Sequence, residues 1–348
     1  MLILKLLARM SGCVHNPDII AFGRKNLRHL HKMGFCMSGI PSEPTLCRLG
    51  KQIPPDDFAA KAEAFIRKMM LKITPKGLKI IAIDGKCANG TTQGNGRSPD
   101  ILSAHSVSPG ITLATTVCDE KSNEITAVGD LLRPEIIGGS LVTGDAMFCQ
   151  KDIAEAIRGC NADFLLAVKA NQKSLRYTLE DRLGRVPCVD EYTEGPELSH
   201  GRIETRTCRT YRGSQVSVDS EKWGSRQTIV AVDKHTIRKS DKSETDDRRY
   251  YISSLDLAAK TACEYTRQHW GIESMYWNLD RNMLQDNIKR KYVTSARNLD
   301  TLQRTVLNIF ALWRCFRKKR SDKKIGTAEL IRRCKYNFSF LKQILALK

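Results

Sequence analysis

The chain begins with hydrophobic positions at helical spacing. In the stretches DIIAFGRKNLRHLHKMG and DDFAAKAEAFIRKMMLKI apolar residues recur every three or four positions, and the segment GIPSEP carries helix breakers between them. Pro54 and Pro55 precede Asp56 and Asp57, which is typical of a helix N-terminus because carboxylates there face the positive end of the helix dipole. The pattern predicts a small helical N-terminal domain over residues 1–78.

Short apolar and β-branched runs follow, and they alternate with helical segments. The runs KIIAID, ILSAHSVS and ITLATTVC predict strands, the last two paired across Pro109 and Gly110. NEITAVGDLLRPE and QKDIAEAIRGC have helical periodicity, whereas SLVTGDA and DFLLAVKA predict buried strands. This alternation predicts an α/β fold with a partly parallel sheet.

The pattern changes twice more before the end of the chain. Between about residues 186 and 258, pieces such as QTIVAVD and RRYYISSL predict a β-rich insertion, with the charged stretch DKHTIRKSDKSETDDRR as an exposed hairpin or loop. From Ala262 helical spacing continues almost to the end, apart from a break near Ser321. We therefore predict an α/β domain over residues 79–320 and a basic helical tail over residues 321–348.

The charge of the chain is strongly positive and unevenly distributed. The 348 residues include 57 Lys and Arg against 38 Asp and Glu, a net charge of +19. Residues 1–78 carry +8, residues 79–280 carry −3 and residues 281–348 carry +14. A protein of this size and charge favours a polyanionic partner over a small neutral ligand.

The sequence also argues against several other classes of protein. No apolar run approaches the roughly 18 to 20 residues of a membrane-spanning helix, and Lys5 interrupts the apolar start, so we expect a soluble cytoplasmic protein without membrane contact. The 12 cysteines include no C-x-x-C pair and no cysteine–histidine set at zinc spacing. We therefore expect neither a zinc cluster nor a disulfide framework.

Two aspartates follow buried strands. Asp84 ends the run IAID, and Asp145 follows the run SLVTG. Sites of α/β proteins lie at such strand ends, and two neighbouring carboxylates would repel each other unless a cation such as Mg²⁺ lay between them. The alternative is that each aspartate only caps the following turn or helix.

A third carboxylate is expected from the stretch CEYTRQHWGIESMYWNLD, which offers Glu264, Glu273 and Asp280. If this stretch were one helix, residues 269, 273, 276 and 280 would share a face and combine carboxylates with His269 and a tyrosine. The alternative is a half-buried amphipathic helix whose tryptophans pack on the sheet.

Six motifs in order resemble bacterial insertion-sequence transposases of the H-repeat-associated group. They are KSNEITA, VTGDAMFCQKDIA, the K-x-N-Q that begins at Lys169, HGRIETR, YYISSL and HWGIE, and the resemblance runs from about Gly39 to Phe310. It implies an RNase H-like mixed sheet with flanking helices, and a β-rich insertion before the last catalytic helix. It also implies that Asp84, Asp145 and Glu273 are the three acids of a DDE centre.

The resemblance further implies the cofactors, the partners and the residues that contact DNA. Three carboxylates would hold Mg²⁺ or Mn²⁺, two ions in all, for cleavage and strand transfer of double-stranded DNA, at element ends and target, by a homodimer. The DNA contacts would come from Lys86, Lys169, Asn171, Gln172, His200, Arg202, Arg206, His269, Trp270, Arg317, Lys318, Lys319 and Arg320. Taken singly, these could equally be surface side chains without a partner. For the last four, the interleaved Trp313 and Phe316 favour nucleic-acid contact.

Three hypotheses on function follow. The first is a DDE transposase that cuts element ends and joins them to target DNA. The second is an inactive or truncated copy that binds DNA without cleaving it; here Cys87, Ala88 and Asn89 stand where the family usually has Thr, Leu and Arg, Ala170 replaces a glycine and Gln285 replaces a glutamate. The third is a metal-dependent nuclease that cuts without joining strands.

Overall fold

Helices dominate both ends of the chain and strands dominate its middle, as the hydrophobic pattern predicts. A computed structural model describes residues 1–73, 77–89, 98–118, 124–199, 201–216 and 227–347. The strands are β1 (Lys79–Cys87), β2 (Asp100–Ser106), β3 (Ile111–Val117), β4 (Ser140–Gly144), β5 (Asp163–Val168), β6 (Asp190–Ser199), β7 (Arg202–Arg212), β8 (Thr228–Arg238) and β9 (Glu244–Ser253). The helices are α1 (Leu2–Met10), α2 (Asn16–Lys25), α3 (Leu27–Lys32), α4 (Glu43–Gln52), α5 (Pro55–Met70), α6 (Glu124–Ala127), α7 (Pro134–Ile137), α8 (Lys151–Gly159), α9 (Lys173–Arg182), α10 (Ala259–Gln268), α11 (Gly271–Arg281), α12 (Val293–Phe316), α13 (Arg320–Lys323), α14 (Thr327–Tyr336) and α15 (Phe338–Leu345).

Packing divides these elements into two units. The first unit comprises Met1–Lys76, Gly85–Ala127 and Ile272–Lys348, and the second comprises Gly77–Asp84 and Val128–Gly271. The N-terminal helices belong to the same unit as the C-terminal ones. No helix in the described ranges has both the length and the apolar character needed to cross a membrane.

The long helix α12 forms the centre of the first unit. It is buried along most of its length, as expected for a helix that is covered on several sides. Its residues Ala311 and Leu312 pack with Ile66 and Met69 of α5 and with Ile111 of β3. The N-terminal helices therefore complete their core with the end of the chain.

A buried asparagine joins α12 to β3. Asn308 accepts a hydrogen bond of 2.8 Å from the backbone N–H of Thr112 and donates one of 2.8 Å to the carbonyl oxygen of the same residue. The side-chain amide thus satisfies two backbone groups that would otherwise lack partners in the interior.

A buried histidine lies beside the same strand. His105 of β2 is 2% exposed, and its Nδ1 lies 3.3 Å from Thr112 Oγ1. Burial, with a smaller contribution from the charge of Arg304, lowers the pKa of His105 to about 3. The imidazole is therefore neutral in the folded protein at neutral pH.

The second unit contains a mixed sheet with the strand order β1-β4-β5-β9-β8-β7-β6. β4 pairs in parallel with both β1 and β5. The remaining neighbours in this order, β5–β9, β9–β8, β8–β7 and β7–β6, are antiparallel. Every residue of β4 is buried, which is typical of a parallel strand covered on both faces. The predicted α/β fold with a partly parallel sheet is confirmed.

The β-rich insertion is confirmed, and of the two alternatives for its charged stretch, hairpin or loop, the structure has the hairpin. Strands β8 and β9 extend through most of that stretch. Asp233 of β8 accepts hydrogen bonds from Arg209 of β7 at 2.6 Å and from Arg248 of β9 at 2.8 Å, and His235 lies 2.8 Å from Asp246. Opposite charges paired across strands replace the alternating apolar pattern that identifies a strand by sequence.

Two predicted helices are shorter than their sequence pattern suggests. NEITAVGDLLRPE yields only α6 and a 3₁₀ turn over Val128–Asp130, since Gly129 lowers helix propensity and the residue before Pro134 avoids helical geometry. The single helix expected around HWGIE is also wrong, because α10 ends at Gln268 and α11 begins at Gly271. His269 therefore lies outside the helix that carries Glu273, Tyr276 and Asp280.

We predict that Asn308→Leu lowers the free energy of unfolding by about 2 to 4 kcal/mol, because it leaves a buried N–H and a buried C=O without partners. Urea denaturation measures this loss. Asn287→Leu, at an exposed position, serves as the control and should change the free energy of unfolding by less than about 0.5 kcal/mol. Equal effects of the two substitutions would contradict the assignment.

We also predict that His105 makes the protein sensitive to mild acid. The pKa of His105 is about 3 in the folded state and about 6.5 in an unfolded chain, so its contribution to stability is complete above pH 6.5 and declines as the pH falls. The expected decline is about 1.4 kcal/mol per pH unit between pH 6.5 and 5. Urea denaturation across this range should give a correspondingly smaller slope for His105→Gln, and an unchanged slope for His31→Gln at an exposed position.

Candidate functional site

Two aspartates lie close to the point where the parallel pairing of β1 with β4 stops: Asp84 within β1 and Asp145 directly after β4. Ile83 of β1 and Gly144 of β4 are register partners, and Asp84 and Asp145 are the next residues of the two segments. Asp145 therefore lies at a strand end, as predicted, whereas the expectation that Asp84 ends its strand is wrong, because β1 continues to Cys87. Asp145 also caps the 3₁₀ turn Ala146–Phe148, because its Oδ1 accepts a hydrogen bond of 2.7 Å from the Ala146 N–H.

Asp145 forms an ion pair with a lysine. Lys169 Nζ lies 2.9 Å from Asp145 Oδ1, and about half of each side chain is exposed. Burial by itself raises the pKa of Asp145, but the hydrogen bonds from Lys169 and from the Ala146 N–H, together with the lysine charge, outweigh it. The pKa of Asp145 thus lies below its ordinary value, and the carboxylate is ionised at neutral pH.

The K-x-N-Q motif holds the segment that follows Asp145. Asn171 Nδ2 donates a hydrogen bond of 2.5 Å to the Ala146 carbonyl, and Gln172 Nε2 donates one of 2.9 Å to the Cys149 carbonyl. With Lys169 on the carboxylate itself, all three polar residues of the motif bind to this one segment. Their hydrogen-bonding groups are engaged within the protein, which the sequence alone does not reveal.

His269 is bound to the strand that carries Asp145. Its Nδ1 lies 3.0 Å from Thr143 Oγ1, two residues before that aspartate. Burial lowers the pKa of His269, and Lys169 lowers it further, whereas the charge of Asp145 raises it. The net lowering keeps the imidazole neutral at neutral pH. Thr143 was missed by sequence reasoning, although a threonine inside the apolar run SLVTG is the signal that could have identified it.

Helix α10 is fixed to β6 by one arginine and two glutamates. Arg267 Nη1 lies 2.6 Å from Glu194 Oε2, and its Nη2 lies 2.9 Å from Glu197 Oε2. Strand residues three positions apart normally face opposite sides of a sheet. Here the β6–β7 register shifts between the two glutamates, where Gly195 has a φ of +105°, so the bulge turns both carboxylates to the same arginine.

Arg206 and Trp270 lie together in the second unit. Arg206 is 4% exposed and pairs with Glu204, while its guanidinium carbon lies 5.8 Å from the Trp270 ring centre. Lys234 Nζ lies 5.9 Å from the same ring and 2.8 Å from Glu204. Arg206, which the resemblance implies as a DNA contact, is thus paired with a protein carboxylate, as is Lys234, whereas Arg202 at the start of β7 is exposed.

Lys86 is paired within the first unit. Its Nζ lies 2.9 Å from Asp280 and 3.0 Å from Asp286, and its side chain is 10% exposed. Asn89 donates a hydrogen bond of 3.3 Å to Asp286. Asp280, one of the three candidates for the third acid, is therefore committed to a lysine, whereas Glu273 lies exposed in the first turn of α11.

The basic segment after α12 is exposed, but its tryptophan is not. Lys318, Lys319 and Arg320 are exposed, and the Arg317 guanidinium carbon lies 5.0 Å from the Trp313 ring centre. Trp313 is 3% exposed and packs edge-on against Phe340 at 5.6 Å. The Trp313 ring thus belongs to the core, and nucleic-acid contact by the basic residues of the segment stays a prediction. His200 lies outside the described residues.

Asp84 and Asp145 could bind a divalent cation, but the described residues do not form a complete set of metal ligands. Asp84 and Asp145 offer the carboxylate oxygens that Mg²⁺ prefers, and one Asp145 oxygen already faces a cationic group. In the part of the chain that the structure describes, no three His, Cys, Asp or Glu side chains form a group that could hold a metal ion. The residues at the sheet edge thus fit part of a metal site.

Comparison with known proteins places the chain in a family. It belongs to the transposase DDE domain family, which matches residues 75–309, and the resemblance to H-repeat-associated transposases is confirmed. The chain is 32% identical to "H repeat-associated putative transposase YhhI" of Escherichia coli strain K12, covering 99% of this chain and 91% of the relative. It is 33% identical to "Putative transposase YncI" of Escherichia coli O157:H7, covering 99% of this chain and 88% of the relative.

Among solved structures, the piggyBac transposase synaptic complex with hairpin DNA is similar with a TM-score of 0.46 at 12% identity. The likeness covers 81% of this chain and 56% of that chain. A likeness at this level does not define the fold. The RNase H-like description of the sheet accordingly stays a prediction.

We predict that Lys169→Met raises the pKa of Asp145, because the substitution removes both the hydrogen bond and the positive charge that oppose the effect of burial. Carboxyl-carbon NMR across a pH titration measures the change. The free energy of unfolding should change by less than about 1 kcal/mol, since the pair is half-exposed. Lys173→Met, at an exposed position nearby, is the control, and an Asp145 titration identical in both variants would refute the assignment.

Proposed function

We propose that the protein is a DDE transposase that cleaves DNA at the ends of an insertion sequence and joins these ends to target DNA. One observation carries the proposal. In a chain that belongs to the transposase DDE domain family, Asp84 of β1 and Asp145 directly after β4 are the residues that follow the last register pair of these two parallel strands. That is how two acids far apart in sequence come to serve one reaction centre.

Asp84, Asp145 and Glu273 would hold two divalent cations, Mg²⁺ or Mn²⁺. When bound, such cations stabilise the charge of an in-line phosphodiester displacement and favour the deprotonation of water or a 3′-hydroxyl. Asp145 can accept a cation without first losing a proton, because its pKa is lowered. Lys169 must leave Asp145 Oδ1 or share it, so this lysine acts as the counter-charge of the carboxylate whenever no metal ion is bound.

The partner that we propose is double-stranded DNA, at both element ends and target, bound by two copies of the chain in the cytoplasm. The second unit contains 23 basic and 23 acidic residues, so the whole net charge of +19 belongs to the first unit. Lys318, Lys319 and Arg320 are exposed in that unit and would contact phosphates. Binding through such contacts weakens as the salt concentration rises.

We predict that Asp84→Asn, Asp145→Asn and Glu273→Gln each lower DNA cleavage by about a hundredfold or more, since even the residues that orient metal ligands are worth 10- to 100-fold. The substrate is duplex DNA with the sequences that flank the reading frame on each side, incubated with Mg²⁺ or Mn²⁺. Denaturing gels resolve cut strands and joined strands.

Two matched substitutions serve as controls. Asp256→Asn and Glu264→Gln remove exposed acids close in sequence and should leave cleavage within about twofold of the unsubstituted protein. All variants should retain salt-dependent DNA binding. A Glu273→Gln protein that cleaves normally would remove Glu273 from the centre, and cut strands without joined strands would favour a nuclease over a transposase.

DNA binding without cleavage is the second candidate function. It is favoured by the absence of a three-residue metal-ligand group in the described ranges and by the Lys169 pair that engages Asp145. Retained, salt-sensitive binding with no cut strand under either cation would establish this alternative over the first.

A further inference from the structure

A cavity of about 40 Å³ in the first unit is lined by three basic side chains. Lys5 and Arg9 come from α1, and Arg290 comes from the segment before α12. The remaining lining is mainly apolar, with side chains such as Phe58 and Leu302, and includes no aspartate or glutamate. None of Asp84, Asp145 and Glu273 lines this cavity.

The three cations lack ionic partners within the described part of the chain. Arg9 is 3% exposed, and its Nε and the Nε of Arg290 are buried without a hydrogen-bond acceptor. Lys5 donates one hydrogen bond of 2.7 Å, to the Leu46 carbonyl. Among the described residues, Asp18 is the one carboxylate that affects the pKa of Arg9, and its effect is the smallest of the causes. Asp18 is exposed, and its carboxylate accepts a hydrogen bond from the backbone N–H of His15.

This arrangement is unfavourable as it stands. Burial, followed by the charge of Arg290, lowers the pKa of Lys5 to about 8 and that of Arg9 to about 10. Burial likewise lowers the pKa of Arg290. Buried charges in proteins are normally paired, because removal from water is costly. One buried and two partly buried cations around one cavity therefore favour an anion as the missing partner.

An asparagine that lines the cavity indicates that the anion also carries a hydrogen-bond donor. Asn298 donates hydrogen bonds of 3.0 Å and 2.9 Å to the carbonyls of Gly50 and Ile53, which fixes its amide orientation. Its Oδ1 is buried without a donor. Hydrogen phosphate offers several acceptor oxygens to arginine and lysine and one O–H for such an oxygen.

We propose that this cavity binds a phosphate group through Lys5, Arg9 and Arg290. The group belongs either to a small molecule, inorganic phosphate being the simplest, or to the backbone or end of a DNA strand. The competing explanation is a water-filled structural cavity, since the volume also suits a few ordered waters.

Isothermal titration of the full chain with inorganic phosphate, combined with thermal unfolding, tests the proposal. Phosphate should bind and raise the melting midpoint, as any ligand specific for the folded state does. Arg9→Met and Arg290→Met should each weaken phosphate binding by about tenfold or more, the value of one charge-assisted hydrogen bond. Without phosphate their midpoints should be unchanged or higher, because each substitution removes an unpaired buried charge.

Further arms of the experiment distinguish the phosphate source and guard against trivial results. Arg24→Met removes an exposed arginine and should leave phosphate binding unchanged. If duplex DNA competes with phosphate for the unsubstituted protein but not for Arg290→Met, the site binds a DNA phosphate. If phosphate binds and DNA does not compete, the site binds a small molecule. Absence of binding to both probes, or equal binding by all variants, overturns the proposal. Asp145→Asn should bind phosphate normally, so failure of the proposed cleavage activity is separate from failure here.

Discussion

The parallel pairing of β1 with β4 is the constraint on which the candidate site depends. β4 is buried throughout and pairs in parallel on both sides, so its register is fixed by core packing. A shift of one residue would turn every side chain of the strand to the other face. The position of Asp145 relative to Asp84 is therefore determined by the same burial that stabilises the sheet, and it requires no contact between the two carboxylates.

The segment after Asp145 is held by side chains rather than by regular structure. Lys169, Asn171 and Gln172 follow the next parallel strand, and they bind the carboxylate, the Ala146 carbonyl and the Cys149 carbonyl. Because β4 and β5 are neighbours, the motif needs only the register of the sheet to reach its partners. An ion or substrate at Asp145 therefore meets a carboxylate whose orientation is already determined.

The sequence is sufficient to predict most of the fold and part of the site, and the reasons differ by element. β4 and β5 are identified because apolar runs that end at polar residues have few other interpretations. β8 and β9 are only partly predicted, because Asp233, Arg209 and Arg248 stabilise them by charge pairing across strands, and such pairs have no signature in one strand. At the break before Gly271, His269 Nδ1 lies 3.0 Å from the side chain of Thr143, 126 positions earlier, a contact that local pattern cannot reveal.

Net charge predicts a polyanionic partner but not the residues that meet it. The excess of +19 lies in one unit, yet Arg9 and Arg304 of that unit are almost fully buried. Arg304 Nε lies 2.7 Å from an Asp300 carboxylate oxygen, so the charge of Arg304 is balanced by an adjacent opposite charge. Arg9 has no such partner, so its charge still acts at the cavity that it lines. A basic chain can therefore carry its charge in two ways, as exposed residues such as Lys318, which we propose attract DNA, and as buried residues such as Arg9, which we propose bind an anion.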